Sequence, residues 1–211
     1  MLAYYVERFA TVEINATFYR MPTAKTLASW AATAPTGFTY VLKAPQQITH
    51  FKRLLDVDEP VRYFADTAAA LGDKLGPVLF QLPPNFKEAA DRLGALLAAW
   101  PGERRIALEF RHESWFDDEV YAILRSRNAA LCVAETEEGS TPAVSTADFG
   151  YLRLRAVEYT DDQLRGWLDT IARIGVGWRD AFVFFKHEDT GSGPALARRF
   201  LALAGGATHP V

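Results

Sequence analysis

One pattern constrains this chain more than any other: short β-rich runs alternate with stretches of helical period along its whole length. The β-rich runs are "ATVEINA", "FTYVLKA", "PVLFQLP", "RIALEF", "ALCVAE", "YLRLRA" and "AFVFFKH". Between them, apolar residues recur at three- and four-residue spacing, as at Leu27, Trp30, Ala31 and Ala34. The same period marks Val61 to Leu71, Leu93 to Trp100, Val120 to Leu124, Leu164 to Ile171 and Ala197 to Ala204. Strands that alternate with helices pair in parallel through crossover connections. Seven such units in a row predict a TIM-like (β/α) barrel rather than an open doubly wound sheet. No GxGxxG or GxxxxGK[ST] follows any strand, so the nucleotide-fold fingerprints are absent.

The starts and stops of the helices are written in the sequence. Ser114-x-x-Asp117 and Thr160-x-x-Gln163 read as capping boxes. Pro35-Thr36-Gly37, Pro101-Gly102 and Gly205-Gly206 end helices. The stretch from Glu137 to Gly150 reads as a loop with a short strand around "AVS". No repeat or linker divides the chain, and its 211 residues, 49% hydrophobic, suffice for a single domain over 1–211. A net charge of −3 means that any grip on phosphate or nucleic acid must come from a local patch. Cys132 lies in an apolar run and reads as a small buried hydrophobe. Without a signal peptide or a membrane-length apolar stretch, a cytoplasmic protein with no membrane partner is expected.

Strand side chains alternate between faces, so parity sorts them. Val12 and Ile14 oppose Glu13 and Asn15; Tyr40 and Leu42 oppose Val41 and Lys43; Phe80 and Leu82 oppose Gln81; Leu108 and Phe110 oppose Glu109 and Arg111. Later, Leu152 and Leu154 oppose Arg153 and Arg155, Glu135 ends its strand, and Lys186 closes "FVFFK". One face packs under helices, while the other turns ionic at the C-terminal end, where β/α barrels build their active sites. The competing reading is a lattice of mutually satisfied charges filling a barrel interior.

Several motifs also resemble a known family. "FATVEINATFYRMP", "FTYVLKAPQQITH", "GPVLFQLPP", "ALEFRHESW" and "FVFFKHEDTGSGPALA" are similar to the YecE-like family, domain of unknown function 72, through nearly the whole chain. The resemblance implies a TIM-barrel-like fold and no known activity. Two departures stand out. Family members usually carry an extra strand and a Gly-Trp loop before the "VEIN" motif, whereas this chain starts at "MLAYYVERFATVEIN". Lacking that first βα unit, it is expected to have seven strands, with a gap between the first and last that invites pairing or oligomerisation. Many members also carry Asn-Asn-Asp where this chain has Lys186-His187-Glu188-Asp189.

Three chemistries are candidates. Glu13 and Glu109 form the best pair for acid–base catalysis, with His112 assisting and Arg111 or Lys43 keeping one of them ionised. Arg153, Arg155 and Lys186, with the Gly191 and Gly193 turn leading into the last helix, read as an anion pocket. Asn15 and Gln81 are polar members of the same strand-end set, and Tyr19, Phe51 and Trp115 are candidates for a stacking wall against a sugar or base. No cofactor is predicted. A divalent metal held by His50, His112 or His187 with nearby carboxylates is the weaker candidate, since no short-range ligand motif such as HExxH is present. The expectation is an enzyme, a hydrolase or isomerase, for a small anionic or polyhydroxylated substrate such as a phosphosugar or nucleotide fragment. The alternatives are a metal-dependent hydrolase of nucleic acid and a non-catalytic binding or scaffold protein.

Overall fold

A computed structural model describes residues 5–136, 139–185 and 191–205. The chain divides into two compact units, residues 1–129 and residues 130–211.

In the first unit, β1 (Thr11–Ile14), β2 (Thr39–Lys43), β3 (Leu75–Gln81) and β4 (Ile106–Glu109) alternate with α1 (Ala24–Thr33), α2 (Asp58–Ala68), α3 (Ala90–Ala99) and α4 (Asp118–Ser126). The strands pair in parallel in the order β1-β2-β3-β4. The face that parity assigned to helices does pack against them. Tyr40 lies 6.0 Å from the Trp30 ring, and Phe80 sits edge-on to Phe64 at 6.2 Å and to Trp100 at 5.5 Å. Burial of these large rings is the main force holding the helices to the sheet. Thr23 caps α1 by accepting a hydrogen bond from the Thr26 amide. The cap of α4 differs from expectation. Asp117 itself is the N-cap and accepts from the Val120 amide at 2.8 Å, while Ser114 lies in the short 3-10 turn Glu113–Trp115 that precedes it.

The second unit holds β5 (Ala130–Thr136), β6 (Gly139–Ser140), β7 (Phe149–Leu154), α5 (Asp161–Ile174), β8 (Asp180–Phe185) and α6 (Ser192–Leu203). Strands β5, β7 and β8 are parallel, and β6 pairs antiparallel with the end of β5. The short strand of the long loop is therefore at Gly139–Ser140, not at "AVS". Ser145 in that segment instead accepts a hydrogen bond from the Trp178 indole at 2.8 Å. Trp178 also dictates the residue at position 150. A Cβ there would stand 2.0 Å from its ring, so only glycine fits. Thr160 and Gln163 form the capping box that the sequence announced. Cys132 is buried, as expected.

The alternation of parallel strands and helices is thus as the sequence predicts, with the seven expected strands present among the described residues and β6 added as a short antiparallel extension.

Candidate functional site

Register brings four strand ends of the first unit onto one face. Glu13 pairs with Val41, two residues before Lys43; Lys43 pairs with Leu79, two residues before Gln81; Gln81 pairs with Glu109. Residues in register share a face, and so do residues two apart, so Glu13, Lys43, Gln81 and Glu109 all point to the side away from the helices.

Three of them, with Arg111, form a continuous polar chain. The Lys43 ammonium donates to Gln81 Oε1 at 2.8 Å, Gln81 Nε2 donates to Glu109 Oε1 at 2.7 Å, and Arg111 Nε donates to the same oxygen at 3.1 Å. An ammonium only donates and a carboxylate only accepts, so the Gln81 amide has one orientation that satisfies both neighbours. Glu109 is 1% exposed, Gln81 4% and Lys43 9%, whereas the Arg111 side chain is 35% exposed. The chain therefore runs from the interior to a guanidinium that solvent reaches. Arg111 spends Nε on Glu109, and its terminal nitrogens make no hydrogen bond among the described residues.

The loops after β1 and β2 complete the cluster. Thr17 is buried in the 3-10 turn Asn15–Phe18; its hydroxyl accepts from the Lys43 amide at 3.1 Å and lies 2.7 Å from the Lys43 carbonyl. That contact pins the first loop to the end of β2 and places the Phe18 ring 4.0 Å from the Lys43 ammonium, a cation–π contact. His50, in the π-helical turn Gln47–Phe51, sets its ring edge-on to Phe18 at 4.9 Å and bonds Thr49 Oγ1 through Nδ1 at 2.9 Å. Burial, then the charges of Lys43 and Arg111, push the His50 pKa below its ordinary 6.5, with Glu109 opposing. The neutral form of the His50 imidazole is thus favoured beside two cations. The sequence marks His50 as a metal candidate and assigns no role to Thr17 or Phe18. The signal for Thr17 was a hydroxyl three residues past a strand end.

Glu13 accepts from Asn15 Nδ2 at 3.0 Å, at the solvent edge of the cluster. His112 acts locally: its Nδ1 accepts from the Ser114 amide at 3.1 Å and lies 2.9 Å from the Ser114 hydroxyl, so it caps the turn Glu113–Trp115. Trp115 needs correcting as a stacking wall. It is fully buried, stacked on Phe110 at 4.6 Å and 2°, with its indole donating to the Phe86 carbonyl at 2.7 Å. An aromatic that ties a loop to the core presents no face to a ligand. Tyr19, by contrast, is 75% exposed.

In the second unit, Arg153 is buried beside Ala134 and Phe184, and Arg155 follows the end of β7 half-buried. Gly191 is the N-cap of α6 with φ +70°, and Gly193 is buried in the first turn. Lys186, His187 and Glu188 lie outside the described residues. Glu135 is turned away from Arg153. Val133 pairs with Leu152, so Glu135 shares the face of Leu152 and Leu154 and bonds the Tyr159 hydroxyl in the apolar cluster of Leu154, Leu164 and Phe200. Burial and the neighbouring Glu135 raise the Tyr159 pKa far above its ordinary value. Among the described residues, no group of three or more His, Cys, Asp or Glu side chains could hold a metal ion, and no helix is long and apolar enough to cross a membrane.

Parallel strands that alternate with helices in each unit, with ionic residues gathered at the strand C-termini of the first, define an α/β protein built of parallel β/α units. The chain belongs to the DUF72 family: the family model described as "Protein of unknown function DUF72" matches residues 1–211. It is 27% identical over 200 residues to the UPF0759 protein YunF of Bacillus subtilis strain 168, covering 87% of this chain and 69% of that one. A crystal structure of a DUF72 family protein from Enterococcus faecalis V583 superposes with a TM-score of 0.85 at 16% identity, over 98% of this chain and 94% of that chain. Another from Thermotoga maritima MSB8 gives 0.75 at 24% identity, over 93% and 84%. At these identities the solved structures carry the fold alone.

Proposed function

We propose that the chain is an enzyme for a small anionic or polyhydroxylated substrate, phosphosugar- or nucleotide-like, with its centre at the strand ends of residues 1–129. The observation that carries this reading is the Lys43–Gln81–Glu109–Arg111 chain, buried at one end and open to solvent at Arg111. A guanidinium fixed through Nε by a buried carboxylate has lost much of its rotamer freedom, and its outward nitrogens suit the oxygens of a phosphate or carboxylate. Proton transfer falls to Glu13, at the wetter edge of the same face, and to the imidazole of His50, whose proton-accepting form is favoured by burial and the nearby cations. Glu109 positions Arg111 and Gln81. Hydrolysis and isomerisation both use such a combination of a fixed cation and a nearby base. The anion pocket of Arg153, Arg155, Lys186, Gly191 and Gly193 stays a second proposed binding element, supported by the Gly191 turn at the start of α6.

The test is a thermal-shift screen of phosphorylated sugars and nucleoside monophosphates, repeated with Arg111→Ala and Glu109→Gln. A hit should vanish in Arg111→Ala and weaken in Glu109→Gln. If no anion shifts the wild-type protein, or if a hit survives Arg111→Ala unchanged, the reading fails. A scaffold protein would instead show Glu109→Gln altering stability with every ligand interaction intact.

A further inference from the structure

The ring of Phe18 has two surroundings. On one side stand the Lys43 ammonium at 4.0 Å and the His50 ring at 4.9 Å, both part of the ionic cluster. Phe18 also lines a groove of about 450 Å³ formed by the loops after β1 and β2 and by α2. That volume lies within the range of small-molecule sites. Its walls are unusually aromatic: Tyr19, Phe51 and Tyr63 are 75%, 73% and 67% exposed, an expensive display of ring surface for a face with nothing to bind. Gln46 and Gln47 also line it and supply amide donors and acceptors beside those rings.

Resting on the function proposed above, we infer that this groove is the subsite for a planar ring, and that the ligand is a phosphate ester carrying an aromatic or heteroaromatic group. The ring stacks among Tyr19, Phe51 and Tyr63, one of the Gln46 and Gln47 amides reads its edge, and the phosphate reaches past Phe18 to Arg111. The occupant follows from the two chemistries that Phe18 joins. Faces of this kind bind π surfaces, and the adjoining cluster presents a guanidinium to an anion. A bare sugar phosphate would use one half of this arrangement and leave the rings wet.

Calorimetric titration of the full chain with adenosine monophosphate, phenyl phosphate, ribose 5-phosphate, inorganic phosphate and adenosine tests this directly. The two aryl-bearing phosphates should bind about tenfold more tightly than ribose 5-phosphate, the effect of a stacked ring. Phe51→Ala combined with Tyr63→Ala should erase that ratio and leave ribose 5-phosphate affinity as it was; both side chains are exposed, so the fold is not at stake. Arg111→Ala should weaken aryl and non-aryl phosphates alike. A preference for adenosine monophosphate over phenyl phosphate identifies a nucleotide, and equal affinities identify a general aryl phosphate. Equal binding of ribose 5-phosphate and the aryl phosphates overturns the groove's role while leaving the anion site standing. Adenosine as tight as its monophosphate overturns the link between groove and cluster. Binding of none of the five overturns both this inference and the function beneath it.

Discussion

Glu109 ends β4 and Glu135 stands one residue before the end of β5, one in each unit, and they meet opposite fates. Glu109 shares its face with Gln81 and Lys43 and becomes the anchor of a polar chain that ends at a solvent-reached arginine. Glu135 falls on the other face, beside Leu154, and is bonded to the Tyr159 hydroxyl within an apolar cluster. The two carboxylates look alike in a linear reading of acidic strand ends. One position of parity separates a carboxylate that holds a solvent-reached arginine from one that satisfies a buried phenol.

The widest gap between the two units should come from removing each carboxylate. Glu109→Ala leaves Gln81 Nε2 and Arg111 Nε without their shared acceptor, and a drop of about 3 kcal/mol in unfolding free energy is expected. It should come together with loss of any anion binding. Glu135→Ala removes the acceptor of the Tyr159 O–H, whose oxygen keeps the Ala156 amide, and should cost about 1 kcal/mol with ligand affinity untouched. Urea denaturation and titration of both variants check the pair, and loss of ligand binding in Glu135→Ala would break the comparison.

A comparable structural effect confined to the second unit is expected at Gly150. Alanine there drives a methyl into the Trp178 ring, and overpacking of this kind costs about 2 kcal/mol. Because the indole must move off the Ser145 hydroxyl, the tryptophan emission maximum should shift as well. Unchanged emission and stability would show the contact to be looser than the geometry states.

A smaller effect is expected from pH, and it belongs to the first unit. His50 titrates below 6.5 when folded and near 6.5 when unfolded, so on acidification the unfolded chain takes up the proton first. Stability is therefore fully present above the unfolded value and falls as pH drops from about 7 towards the folded pKa. His50→Gln should flatten that part of the profile, measured as urea midpoint against pH. An identical slope in the variant would remove His50 from the cluster's electrostatics.

Smallest of all is Asn15→Ala. Its hydrogen bond to Glu13 is exposed, so stability should change by less than about 0.5 kcal/mol. A clear loss of turnover or ligand affinity in that variant would sharpen Glu13's assignment as a proton carrier.

The order and type of the elements were legible because hydrophobic period is a local property. The β-rich runs from "ATVEINA" to "AFVFFKH" and the helices between them lie where the pattern puts them. Parity likewise put Lys43, Gln81 and Glu109 on one face. What the pattern missed depends on tertiary context. Trp115 reads the same as Tyr19 in sequence, but Phe86 and Phe110 bury the first, while the second meets Phe18 edge-on and stays largely exposed. The capping box read at Ser114 failed because Asp117, adjacent to the first helical residue, is itself the N-cap. His50 becomes informative only when the fold sets it beside Lys43 and Arg111, which lie 7 and 61 positions away in the chain.

Gln81 gives the ionic cluster a property that neither of its charged ends has alone. A carboxamide bears no net charge, yet its dipole lines up between ammonium and carboxylate and is polarised by both. Whatever neutralises the guanidinium at the solvent end alters how firmly the amide holds the lysine deep inside, across the width of two strands. Replacements at Lys43 and Arg111 should accordingly fail to add, because the fold has wired two distant cations into one electrical element.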